Sequence, residues 1–114
     1  MRLVIADNDA GALELLVTDL TLEGHDVVGT ASHGAETVDL CLALEPDALV
    51  VDFRMPPGIN GVEVARQLRE RQPDLKIVIY SNYRSPDMAQ GARKAGAVLL
   101  EKGNLRALRR ALVS

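Results

Sequence analysis

The sequence predicts an α/β fold: a doubly wound three-layer sandwich, with a five-stranded parallel sheet of order 2-1-3-4-5 and five helices on its two faces. Three observations carry this. Short apolar runs alternate with longer stretches of helical period along the 114 residues, the signature of repeated βαβ units. Three of the strand candidates are continuous apolar runs, as strands covered on both faces must be. Right-handed crossovers then leave few ways to wind five such units, and 2-1-3-4-5 is the simplest expectation.

The elements follow in order. Leu3 to Ala6 is the first strand, and Leu13, Leu16, Val17 and Leu20 stand at i, i+3, i+4 and i+7 on the helix after it. Gly24 hands over to the second strand, Asp26 to Ala31, whose Gly29 and polar residues place it at an edge. Ala35, Val38 and Leu42 stripe the second helix, which Glu45-Pro46 ends. Ala48 to Val51 forms the third strand and runs into "DFRMPPGING", where two prolines and two glycines forbid both helix and strand. Gly61, Val64, Ala65 and Leu68 mark the third helix, ended by Gln72-Pro73; Lys76 to Tyr80 is the fourth strand. Ser85-Pro86 is an N-cap and first-position pair for a fourth helix with Met88, Ala92 and Ala95 on its inner face. Gly96 precedes the last strand, Val98 to Leu100, and Leu105, Leu108 and Leu112 stripe the fifth helix.

The length suits one domain with a single core. A net charge of -3 gives no electrostatic grip on nucleic acid, and one Phe with two Tyr leaves little to stack on bases. The single cysteine, Cys41, makes no internal disulfide and fits a reducing cytosol. The opening "MRLVIADND" is too short for a signal-peptide core or a membrane span. A cytoplasmic protein without membrane contact is the expectation.

Open α/β sheets bind ligands at the carboxyl ends of their strands, near the point where strand order reverses. Asp7, Asn8 and Asp9 follow the first strand, Asp52 the third, Ser81 and Asn82 the fourth, and Lys102 the fifth. Two carboxylates about 5 Å apart repel by roughly 3 kcal/mol at an effective dielectric near 20, so the cluster favours a cation. A donor set of hard oxygens without Cys or His selects magnesium, with manganese as a substitute. Magnesium beside a lysine and a hydroxyl suits a phosphoryl group. Asp52 is then a candidate nucleophile whose product is an acyl phosphate.

Taken together, "LVIADND", "LVVDFRMPPGINGVEVARQLR", "IVIYSNY" and "GAVLLEKG" resemble the receiver domain of two-component response regulators, over the whole chain. The resemblance implies a flavodoxin-like fold for residues 1–114 as one receiver domain, with no effector domain in this chain. It implies that Asp52 accepts a phosphoryl group from a histidine kinase or phosphotransfer protein. Asp7 and Asn8 would handle Mg2+ together with Asp52 and the main-chain carbonyl of Arg54, and Ser81 and Lys102 would contact the phosphoryl oxygens. Such a domain is not an enzyme beyond self-phosphorylation and self-dephosphorylation. Its fourth helix, fifth strand and fifth helix form the switching surface and a candidate homodimer face, sometimes as the N-terminal part of a transcriptional regulator. The domain itself would make no nucleic-acid contact.

Four residues depart from the family's pattern. Asn8 stands where the second acid is expected, so either its amide oxygen or the Asp9 carboxylate completes the metal set. Pro57 adds a residue to the loop. Leu99 replaces the aromatic residue that often reports phosphorylation, with Tyr83 as a candidate substitute. Gly103 replaces the proline after the lysine.

Each residue also has a plainer reading: Asp52 and Asp7 as turn acids, Asp9 as the N-cap of the first helix, Asn8 as a loop residue, Ser81 as a partner for loop backbone, Lys102 as a surface lysine. His25 and His33 read as incidental, Cys41 as packing or a quiet surface thiol, and Arg106, Arg109 and Arg110 as a solvated or partner-binding basic face. Two other functions compete. A pseudo-receiver would keep the fold as an interaction module without phosphorylation. A phosphatase of the haloacid dehalogenase type would use Asp7 as nucleophile and Asp9 as acid/base.

Overall fold

The computed structural model describes residues 1–114 and has the expected alternation: β1 (Arg2–Ala6), α1 (Ala10–Leu22), β2 (Asp26–Ala31), α2 (Gly34–Leu44), β3 (Ala48–Val51), α3 (Gly61–Arg71), β4 (Lys76–Ser81), α4 (Pro86–Lys94), β5 (Val98–Glu101) and α5 (Leu105–Val113). All pairs are parallel, in the order β2-β1-β3-β4-β5. β1, β4 and β5 each run one residue beyond the sequence expectation.

The period-2 alternation of the central strands divides the interior into two cores. Val4, Ala6, Leu49, Val51, Ile77 and Ile79 face one side, against Cys41 of α2, Val64, Ala65 and Leu68 of α3, and Met88 and Ala92 of α4. Leu3, Ile5, Ala48, Val50, Val78 and Tyr80 face the other, against Leu16 and Leu20 of α1 and Leu108 and Leu112 of α5. β2 and β5, the edge strands, are only partly covered. Both cores lie beneath the carboxyl edge and fix the strand ends there.

The helix signals read from sequence have physical counterparts. Ser85 accepts the Met88 N–H at 3.2 Å, and Asn60 accepts that of Glu63 at 3.0 Å. Glu45 ends α2 in the left-handed region at φ 47°, just before Pro46. The stripe expected on α2 is corrected. Gly34, Thr37 and Cys41 are buried, while Ala35 is exposed and Val38 and Leu42 are half-covered. Thr37 can face the core because its hydroxyl donates to the His33 carbonyl at 2.7 Å, which removes the cost of burying it. An apolar count cannot see that. Cys41 is fully buried and its thiol is pushed up to about 12 by burial, so it is packing and not a surface thiol.

The loop after Asp52 is pinned at both ends. Met55 is buried as its anchor, and Gly61 N–H donates to the Phe53 carbonyl at 2.8 Å. A Cβ on Gly61 would sit 2.3 Å from the Asp52 carbonyl oxygen, so α3 begins against the backbone of Asp52 itself. Gly61→Ala is expected to cost about 1–3 kcal/mol by overpacking. Urea unfolding measures it, and a loss of only a few tenths would mean that the loop yields instead.

Candidate functional site

The sheet ladder continues one residue past three strands and delivers the expected side chains to one edge. Asp7 N–H donates to the Ala31 carbonyl at 3.1 Å, Asp52 N–H to Ala6 at 3.0 Å, and Lys102 N–H to Ser81 at 3.0 Å. Asp7, Asp52 and Lys102 thereby meet although 50 and 95 residues separate the partners in sequence.

Lys102 Nζ donates to Asp7 Oδ2 at 2.7 Å and to Asp52 Oδ2 at 3.0 Å. The other oxygen of each carboxylate serves its own turn: Asp7 Oδ1 accepts the Asp9 N–H at 2.9 Å and Asp52 Oδ1 accepts the Phe53 N–H at 2.7 Å. The Asp7 side chain is 1% exposed and that of Asp52 11%. Asp52 therefore reaches the open cleft while Asp7 lies beneath it. The cleft has a volume of about 330 Å3 and is walled by Asn8, Asp9, Arg54, Ser81, Tyr83 and Lys102 around Asp52. Ser81 is buried, and its Oγ accepts the Tyr83 N–H at 3.1 Å, which leaves the hydroxyl proton free to be donated.

Burial pushes the Asp52 carboxyl above its ordinary range; Lys102 pulls it back, the charge of Asp7 adds to the rise, and the net direction is up. For Lys102, burial pulls the ammonium down, but the hydrogen bonds and charges of Asp7 and Asp52 outweigh it and hold it above the ordinary lysine value. A carboxylate whose folded pKa is raised contributes stability only below that pKa and loses it as pH rises through it. Asp52→Asn is therefore expected to raise the melting temperature of metal-free protein at neutral pH, and the gain should shrink as pH falls through the raised pKa. Thermal unfolding across pH tests this; a variant melting lower at neutral pH would contradict it.

Asp9 caps α1, its Oδ1 accepting from Gly11 N at 2.9 Å and Ala12 N at 3.4 Å. Asn8 is exposed at the rim of the cleft. No hydrogen bond within the protein engages the Arg54 carbonyl. No group of three His, Cys, Asp or Glu side chains converges anywhere. Asp52 and Arg54 line the cleft and offer oxygen donors there, while Asp7 lies beneath with both oxygens bonded within the protein; magnesium accepts a partial set because it keeps several waters.

Three aromatic residues act around the site, and sequence reasoning placed only Tyr83 there. Tyr83 stacks on Phe53, with ring centroids 5.8 Å apart, and the Arg54 guanidinium lies over the Tyr83 ring, 4.4 Å from its centroid. Leu99 is half-covered and packs against the α2–α4 core. Tyr80, missed as a site residue, accepts the Gly103 N–H on its phenolic oxygen at 2.9 Å. Its place at the end of an apolar strand was the available signal. Of the basic residues on α5, Arg109 is paired with Asp19 of α1 and with Glu23, which caps that helix, while Arg106 and Arg110 are exposed.

No helix is long and apolar enough to cross a membrane. The family pattern described as the response regulator receiver domain matches residues 3–111. The chain is 41% identical over 87 residues to the DNA-binding transcriptional activator DevR/DosR of Mycobacterium tuberculosis, covering 76% of this chain and 38% of that protein. It is 33% identical over 97 residues to the chemotaxis protein CheY of Thermotoga maritima, covering 84% of this chain and 79% of that protein. The response regulator TrrA of Thermotoga maritima, solved in complex with Mg2+ and BeF, superposes with a TM-score of 0.85 at 28% identity, covering 96% of this chain and 93% of that one. This chain thus spans well under half of the DNA-binding relative and most of CheY. A pattern matched over nearly the whole chain, with the same sheet order and an acidic strand-end site, places the chain in the response regulator receiver domain family of two-component signalling.

Proposed function

We propose that the protein is a working phosphoacceptor: Asp52 takes a phosphoryl group from a histidine kinase or phosphotransfer protein in a magnesium-dependent reaction. The observation that carries this is the Lys102 ammonium, shared between a buried Asp7 and an accessible Asp52 at 2.7 and 3.0 Å. A lysine used only to neutralise surface charge has no reason to be held there.

Asp52 Oδ2 attacks phosphorus as the bond to the donor's imidazole nitrogen breaks, and that nitrogen keeps the electron pair. Asp7, Asp52 and the Arg54 carbonyl, with Asn8 or Asp9 at the rim, would hold the magnesium ion, whose charge offsets that of the transferring phosphoryl oxygens. Once Asp52 is phosphorylated, Lys102 keeps Asp7 as its counter-ion and can turn one N–H to a phosphoryl oxygen. Ser81 donates its hydroxyl proton to another without losing the Tyr83 N–H. The phosphoryl group shifts a two-state equilibrium only by contacts that differ between the states. The Ser81–Tyr83 link leads toward α4, and so toward the face of α4, β5 and α5 as the surface that changes or pairs with a second copy. A half-buried Leu99 leaves Tyr83 to replace the usual aromatic reporter.

A cytoplasmic location suits this role, and self-dephosphorylation is the only turnover it requires. Residues 1–114 supply the receiver, and output through a DNA-binding partner or segment is suggested by DevR/DosR, which is longer than the match. Asn8 and the ready neutralisation of both acids by Lys102 favour the pseudo-receiver as second reading. The phosphatase reading is weakened because the Asp7 side chain is almost wholly buried beneath the cleft and Asp9 caps α1.

Incubation with acetyl phosphate, with and without magnesium, followed by intact mass, tests the proposal. One added phosphoryl group that requires magnesium is expected. Folded protein that gains none under either condition would transfer the case to the pseudo-receiver.

A further inference from the structure

Consecutive N–H groups at the end of β5 are both tied to the end of β4. Lys102 N–H donates to the Ser81 carbonyl at 3.0 Å, and Gly103 N–H donates to the Tyr80 phenolic oxygen at 2.9 Å. Ser81 is therefore a wall of the cleft on one side of β4, while its neighbour Tyr80 reaches through the α1/α5 core to the turn that carries Lys102. Tyr80 is 4% exposed as a residue.

Packing does little to hold that turn. Gly103 lies at φ +94°, and nothing stands within 4 Å of where its Cβ would be. A cavity of about 220 Å3 opens beside it, with Ala12, Leu15 and Leu105 among its walls. No other hydrogen bond in the protein engages the Gly103 N–H. The turn is otherwise closed by a longer bond, from Asn104 N–H to the Glu101 carbonyl at 3.4 Å, so the phenol is the shorter tie and the one next to Lys102, whose ammonium must reach two carboxylate oxygens at once.

We propose that Tyr80 is a positioning residue for the phosphoacceptor site: its hydroxyl, by holding the Gly103 N–H, sets the backbone of Lys102 and so the placement of the ammonium between Asp7 and Asp52. The catalytic consequence rests on the phosphoacceptor reading above; the placement does not. Phenylalanine fills the same volume, so Tyr80→Phe removes this bond with little change in packing.

Two readouts test it. In metal-free protein without any phosphoryl donor, the Lys102 NζH3 nitrogen resonance is expected to be visible, as an ammonium anchored on two carboxylates exchanges slowly, and to be lost in Tyr80→Phe. Gly103→Ala, which keeps the phenol but strains the turn at φ +94°, should lose it too. With acetyl phosphate at saturating magnesium, Tyr80→Phe should slow phosphoryl uptake about tenfold and add nothing further in a Lys102→Met background. A resonance that persists in Tyr80→Phe overturns the inference, as does an equal slowing with Lys102 present or absent. Wild-type protein that takes up no phosphoryl group, yet loses the resonance on Tyr80→Phe, would keep the positioning role and reject the receiver reading.

Discussion

Protein carrying Asp52→Ala is expected to fold as the wild type does and to take up no phosphoryl group, falling below about 1% of the wild-type rate, more than about 2.7 kcal/mol in the barrier. No other carboxylate can substitute. Asp7 lies beneath the cleft with a side chain that is 1% exposed, and Asp9 spends Oδ1 on two N–H groups of α1 and has no bond to Lys102. Only Asp52 combines access to the cleft with a bond to Lys102. The fold should tolerate the change because Lys102 keeps Asp7 as its partner. Intact mass after acetyl phosphate treatment gives the answer, and uptake retained by the variant would mean that the acceptor lies elsewhere.

Lys102→Met is expected to have the second largest effect, on stability as well as on uptake. It leaves Asp7 and Asp52 facing each other without a cation, one of them almost wholly buried. Removing one partner of a buried ion pair costs about 3–5 kcal/mol, and the partial access of water to Asp52 places the expected loss near the lower end. Burial and the charge of Asp7 already hold the Asp52 carboxyl above its ordinary range, and losing Lys102 removes the pull in the other direction. Its penalty is therefore present at neutral pH and fades as pH falls and it protonates. Magnesium, binding only the folded form, should restore part of the loss. Urea unfolding near pH 7 and near pH 4, with and without magnesium, separates the contributions. A deficit of equal size at both pH values would show that Lys102 acts through packing of its stem and not through its charge.

The sheet was legible because β1, β3 and β4 are apolar on both faces, which only a sheet covered on both sides requires. The strand ends were legible because each central run stops at a polar residue, and the topology converts four separate stops into one cluster. Three features were not legible. Thr37 faces the core because of a hydrogen bond to His33, a pairing that depends on local geometry and not on hydropathy. Tyr80 looked like one more core residue, since its value lies in a single oxygen 23 residues away in sequence from the N–H it accepts. Arg109 read as part of a uniform basic face, and only the placement of α1 beside α5 brings Asp19 and Glu23 to it. Asp9 was open between cap and ligand, and its Oδ1 bonds to Gly11 and Ala12 establish the cap without engaging Oδ2.

The most direct test of the central claim is to locate the phosphoryl group on the chain. Borohydride reduces an aspartyl acyl phosphate to homoserine, so protein treated with acetyl phosphate and magnesium, reduced and digested, carries a mark at the acceptor. Homoserine is expected at position 52 and at no other position. Homoserine elsewhere, or its absence in protein that has gained a phosphoryl group, would contradict it.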